Sequence, residues 1–176
     1  MKRKDFFRIG KITKCNRKTG ELSVALLPGT GDVSDHSGFI FFEIDGGLVP
    51  FGVKSLIVLD TKTIRLSAVD YDTPEKAQQF VGCRVFVPKA DIQRSDDDFF
   101  NIYEMIGYEV VDKNAGTIGA LTDILEGPQQ DLLQVNAGGK EILIPFVDEV
   151  FEKADHHRKQ IFIDAPDGLI DLYLGT

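Results

Sequence analysis

The residues able to do chemistry are few and widely spaced. His36 sits in a glycine-rich loop, and His156 and His157 are neighbours in the polar turn DHHRK. Adjacent histidines in a turn point apart, so a metal site there would need further ligands brought from elsewhere. Asp123, Asp131, Glu141, Asp148 and Glu149 could supply paired carboxylates, but acids scattered over strand edges and turns read as surface charge. Cys15 and Cys83 have neither CxxC nor Cys/His partner spacing and are expected to be free, reduced thiols. No Gly-x-Ser-x-Gly, His-Glu-x-x-His or Gly-x-Gly-x-x-Gly occurs, and NAGGK lacks the spacing of a phosphate loop. The sequence therefore predicts no catalytic residue, no metal and no cofactor. The chain is expected not to be an enzyme.

Two other features point to binding. The stretch DDDFFN sets Phe99 and Phe100 directly behind Asp96, Asp97 and Asp98. In extended backbone neighbouring side chains point to opposite faces, so one barrel core cannot take both rings. The second ring then covers a domain junction or anchors a partner. Charge is also divided unevenly. Residues 1–88 carry 13 Lys/Arg and 10 Asp/Glu, whereas residues 99–176 carry 5 and 14, within a chain of net charge -8. Eight of the basic residues fall in the first 18, among them Lys11, Lys14, Arg17 and Lys18. A basic front and an acidic back suit partners of opposite sign. The net charge itself argues against an indiscriminate nucleic-acid binder.

The elements that must carry these residues read as short strands. RIGKITK, ELSVALL, GFIFFEI, SLIVLD, TIRLSAV and CRVFVP alternate apolar and polar residues between turn signals such as GTGD, DGG and DTK. Leu22, Val24 and Leu26 share one face. One helix interrupts the series at TPEKAQQF, with Thr73 as N-cap, Pro74 at the first helical position and Glu75 in the first turn. KADIQRSDDD has no periodicity and reads as a linker. After it, IYEMIG is a short helical or turn segment, and YEVVD, TIGALTDIL, DLLQVN, EILIPFV, EVFEKA and QIFIDA follow as strands, with NAGGK as a hairpin turn. The expectation is a mainly β chain of two small barrels, residues 1–88 and 99–176, joined by an acidic linker at 89–98. No apolar run approaches the roughly 20 residues that span a bilayer, and MKRKDFFRIG is too polar for a signal peptide, so a cytoplasmic location is expected.

The C-terminal run resembles the ribosome maturation factor RimM family. Ile144-Pro145-Phe146-Val147 and Pro166-Asp167-Gly168-Leu169-Ile170-Asp171-Leu172 are similar to its closing signature, and FFNIYEMIGYEVVD to the start of its second domain. At the other end Ile9-Gly10-Lys11-Ile12 and Gly20-Glu21 match the family's opening. Between them the chain departs from it: Asn16 stands for a histidine, Arg17 for a glycine, Lys18 for an apolar residue and Thr19 for a basic one. No role tied to that histidine carries over, although Lys14, Arg17 and Lys18 keep the loop basic.

The resemblance implies a translation-factor-like N-terminal barrel followed by a PRC-type barrel. It implies a non-enzymatic assembly factor, expected to be monomeric. Such a factor binds the immature small (30S) ribosomal subunit and its nineteenth, head-located protein, and assists head maturation and 16S rRNA processing. Phe99 and Phe100 match the family's paired tyrosines, implicated in that binding. With Asp97 and Asp98 they are the expected partner-binding residues, and Lys11, Lys14, Arg17 and Lys18 the expected RNA-facing ones. Two other classes compete: a PRC-barrel protein docking on an unrelated complex, and a hydrolase using the C-terminal acids with a divalent metal.

Overall fold

The computed structural model describes residues 3–33, 38–91, 101–127 and 129–175. The chain divides into two compact units, Met1–Phe100 and Asn101–Thr176.

The first unit is a closed barrel of six antiparallel strands: β1 (Phe6–Cys15), β2 (Leu22–Leu26), β3 (Phe39–Ile44), β4 (Gly47–Val58), β5 (Thr63–Ala68) and β6 (Arg84–Pro88). They are ordered β1-β2-β5-β4-β3-β6, with β6 pairing back to β1. Alternation fills the interior as the sequence predicts. Leu22, Val24, Ile64 and Leu66 are fully buried, while Ser23 and Arg65 between them are not. Phe42 stacks on Phe51 with centroids 4.4 Å apart, and Phe80 meets both rings at 5.2 and 4.9 Å. Phe80 comes from the segment read as a helix. Here α1 (Pro74–Ala77) makes a single turn and passes into 3₁₀ geometry over Gln78–Phe80. Thr73 occupies the predicted N-cap position, but its hydroxyl makes no capping bond; its carbonyl instead accepts the N–H groups of Lys76 and Ala77.

Two features of this barrel depart from local pattern. β4 begins at Gly47, well before SLIVLD, because Gly47–Gly52 pairs with β3; Pro50 is tolerated there since that half of the strand has no second ladder for its missing N–H to break. Gly10 of β1 is a contact glycine: a Cβ there would stand 2.1 Å from the carbonyl oxygen of Ala25, so β1 and β2 approach this closely only without a side chain.

The second unit holds β7 (Glu109–Asp112), β8 (Gly116–Leu125), β9 (Asp131–Ala137), β10 (Lys140–Phe146), β11 (Phe151–Asp155) and β12 (Gln160–Ile163) in one sheet ordered β10-β9-β8-β7-β12-β11. IYEMIG supplies a 3₁₀ turn over Ile102–Met105 ahead of it, with the Asn101 side chain accepting from the Tyr103 N–H. Gly138 and Gly139 make the predicted hairpin turn between β9 and β10, both with positive φ. The edge strands β10 and β11 are joined by residues 147–150, and the rings of Phe146 and Phe151 meet edge to face at 5.7 Å across that connection. β7 and β12 run parallel. Asp112 ties the ends of this pair together: Oδ1 accepts from the N–H groups of Asn114 and Ala115, and Oδ2 from that of Ala165. The closing signature contains an unpredicted helix, α2 (Leu169–Leu174), bracketed by left-handed Gly168 and Gly175. Lys140 donates to the carbonyl of Leu174 at 2.7 Å, satisfying an otherwise open helix C-terminus.

Candidate functional site

The first unit carries an open groove of about 790 Å³ beside the β1–β2 hairpin. Lys14, Arg17 and Lys18 line it, and so does Arg65 of β5. Of the four basic residues singled out in the sequence, three therefore share one surface. Lys11 does not line the groove; it faces Ala25 on one side and Arg84 on the other, further along β1.

Local chemistry explains how the hairpin presents these cations. The β1–β2 register slips between Ile12 and Lys14. Ile12 and Cys15 are both buried, and the bulge leaves Thr13 and Lys14 exposed between them. Strict alternation would have sent one of those two inward. Beyond the strand, Asn16 holds the loop: its Oδ1 accepts from the N–H groups of Lys18 at 2.9 Å and Thr19 at 3.3 Å, and its carbonyl accepts from Gly20. Asn16 thus folds the loop through its own side chain. Gly20 has φ +73, and a Cβ on it would lie 2.5–2.8 Å from backbone atoms of Asp72 and Thr73. The loop packs onto the segment leading into α1 only because this residue is glycine.

Arg65 was not singled out in the sequence. TIRLSAV places it outward, but only the pairing of β2 with β5 brings it to the groove. Lys14 lies opposite Ser23, and Ser23 opposite Arg65. Two inter-strand spacings, about 10 Å, separate the two backbone positions. One carboxylate faces them: Glu21 accepts from the Thr19 hydroxyl at 2.9 Å and lies 4.0 Å from Arg65 Nε. Burial pushes the Cys15 thiol up, with Glu75 nearby adding to the effect, so this lining residue stays neutral near pH 7.

Phe99, Phe100, Asp97 and Asp98, the expected partner-binding residues, lie outside the described residues, as does His36. His156 and Tyr108 make a side-chain hydrogen bond of 3.1 Å. Asp123, Asp131 and Glu141 are spread over β8, β9 and β10, with Asp148 and Glu149 in the turn before β11. Among the described residues no group of three or more His, Cys, Asp or Glu side chains is placed to hold a metal, both cysteines are free thiols, and no helix is long and apolar enough to cross a membrane.

A closed six-stranded barrel bearing a cationic groove, followed by a second six-stranded sheet, defines a two-unit, mainly β protein. Residues 102–169 match the model of the RimM PRC barrel domain. Over the whole length the chain is 30% identical to proteins named ribosome maturation factor RimM from Flavobacterium psychrophilum and Christiangramia forsetii, across 99% of this chain and 100% of each relative. It is 33% identical to the protein of the same name from Parabacteroides distasonis, across 98% and 99%. The chain belongs to the ribosome maturation factor RimM family.

Proposed function

We propose that this protein is a non-enzymatic assembly factor of the small ribosomal subunit. It binds the immature 30S particle and its nineteenth, head-located protein in the cytoplasm, and assists head maturation and 16S rRNA processing. The observation that carries this reading is the end-to-end match to relatives named as ribosome maturation factors.

The charge split supports the division of labour. Residues 99–176, with 14 acidic and 5 basic side chains, have the sign to steer in a basic ribosomal protein. The groove of the first unit has the sign for phosphates. In this reading residues 1–88 face RNA through Lys11, Lys14, Arg17 and Lys18, residues 89–98 link, and residues 99–176 face protein, with Phe99 and Phe100 as apolar anchors beside Asp97 and Asp98. Phenylalanine supplies the ring of the family's tyrosines without a hydroxyl, so anchoring there is apolar.

Deletion of the gene tests the proposal. Unprocessed small-subunit RNA should accumulate, translating ribosomes should fall, and the tagged protein should sediment with free small subunits rather than with whole ribosomes. Normal rRNA processing in the deletion strain, with no sedimentation alongside small subunits, sinks it.

A further inference from the structure

We infer that the groove beside the β1–β2 hairpin is a binding site for the phosphate backbone of RNA, in which Arg65 is a phosphate-contacting residue and Glu21 an internal competitor for its guanidinium. The inference deepens the proposed function and rests on it for the choice of RNA as ligand.

Four cations from two separate chain segments converge on one concave surface, and a single carboxylate among the groove residues opposes them: Glu21. Lys14 and Arg65 are fixed by strand pairing, and Lys18 is fixed at its backbone by Asn16. The backbone positions that carry the cations are therefore set before any ligand arrives, and the ordering cost of binding falls on the side chains alone. Arg65 offers a planar fork suited to two phosphate oxygens, which a lysine in its place could not match. Its side chain is 42% exposed, so the fork is reachable from solvent. Thr13, exposed by the bulge, also lines the groove, its hydroxyl donating to the Ser23 carbonyl at 3.3 Å.

The Glu21 contact gives the site a distinctive sign. At 4.0 Å from Arg65 Nε the carboxylate draws the guanidinium toward itself, and its bond from Thr19 holds it there. A phosphate must compete with it. Neutralising Glu21 should then strengthen RNA binding, whereas neutralising Arg65 should weaken it. A groove with no anionic ligand would show neither response.

The experiment measures binding of the purified full chain to a short fluorescein-labelled RNA hairpin by anisotropy, over salt from about 50 to 200 mM, for the wild type and for Arg65→Gln, Glu21→Gln and Lys18→Ala. Circular dichroism checks each fold. Each lost phosphate contact lowers the salt slope by about 0.7 to 0.9, which at 0.1 M salt corresponds to about a five- to eightfold weaker Kd. Arg65→Gln and Lys18→Ala should each show this, and Glu21→Gln should tighten Kd. If Arg65→Gln leaves Kd and slope unchanged, or the wild type does not bind the hairpin, the inference is overturned. It is overturned equally if Arg65→Gln disrupts sedimentation with small subunits but not RNA affinity, since the groove would then meet protein. Failure of the wild type to sediment with small subunits, with RNA binding still dependent on Arg65, would strike the assembly-factor reading and leave the groove assignment standing.

Discussion

Replacing Asp112 by asparagine should destabilise the second unit by about 3 kcal/mol at pH 7 and change how its stability responds to acid. The residue is 3% exposed, and its carboxylate takes three backbone N–H groups at 2.7 to 2.9 Å from two segments some 50 positions apart in sequence. A hydrogen bond to a charged group contributes about 1.5 to 3 kcal/mol, roughly twice a neutral one. Asparagine keeps one acceptor oxygen. If that oxygen stays on Asn114 and Ala115, those bonds weaken to neutral strength and the amide NH2 faces the Ala165 N–H, donor against donor. Relief of the cost of burying a charge offsets part of this loss, which leaves about 3 kcal/mol. Burial alone would raise the carboxyl's pKa, but the N–H donors of Ala115, Ala165 and Asn114 outweigh it and hold the group below its ordinary 3.8. A depressed folded value stabilises fully above the unfolded value and is lost as pH falls through the folded one. The gap between wild type and Asp112→Asn should therefore be constant at neutral pH and narrow below pH 3.8. Urea unfolding followed by circular dichroism measures the gap, and amide exchange at Asn114, Ala115 and Ala165 localises it. A gap under about 0.5 kcal/mol at pH 7, the size of an ordinary surface substitution, would show that the carboxylate does not hold these two segments together. So would a gap that persists unchanged to pH 3.

Three further outcomes are expected. Gly10→Ala should cost about 3 kcal/mol, because its methyl would stand 2.1 Å from the Ala25 oxygen and push β1 from β2; an unchanged urea midpoint would show that the strands separate freely. Glu43→Gln should cost about 1 to 2 kcal/mol. The Glu43 side chain, 8% exposed, holds Arg3 at 2.9 Å and Arg84 at 2.6 Å, but those arginines are 58% and 35% exposed and so already solvated in part. A neutral result by thermal melt would mean that water replaces the carboxylate. The double substitution Phe99→Ala/Phe100→Ala should abolish sedimentation with small subunits while the circular dichroism spectrum is unchanged, and wild-type sedimentation would remove the pair from the partner surface.

Most of the elements, and the sign of the surfaces, follow from local pattern in the chain. Alternation set Leu22, Val24, Ile64 and Leu66 inward because a strand's side chains reverse face at each residue, a rule that needs no knowledge of partners. It also located the hairpin at Gly138-Gly139 and the basic character of the first loop. Local period cannot encode contacts between distant segments. The bulge that exposes Thr13 and Lys14 exists only relative to β2. Arg65 reaches the groove because β5 pairs with β2 across an intervening 36 residues of chain, from Leu26 to Thr63. Asp112 looks like one more surface acid until β12 runs parallel to β7 and delivers the Ala165 N–H to it. Gly10 matches a family motif in the sequence, but only the proximity of Ala25 shows why a side chain is excluded. In each case the deciding contact joins residues distant in sequence, where the energy lies in the pairing and not in either segment.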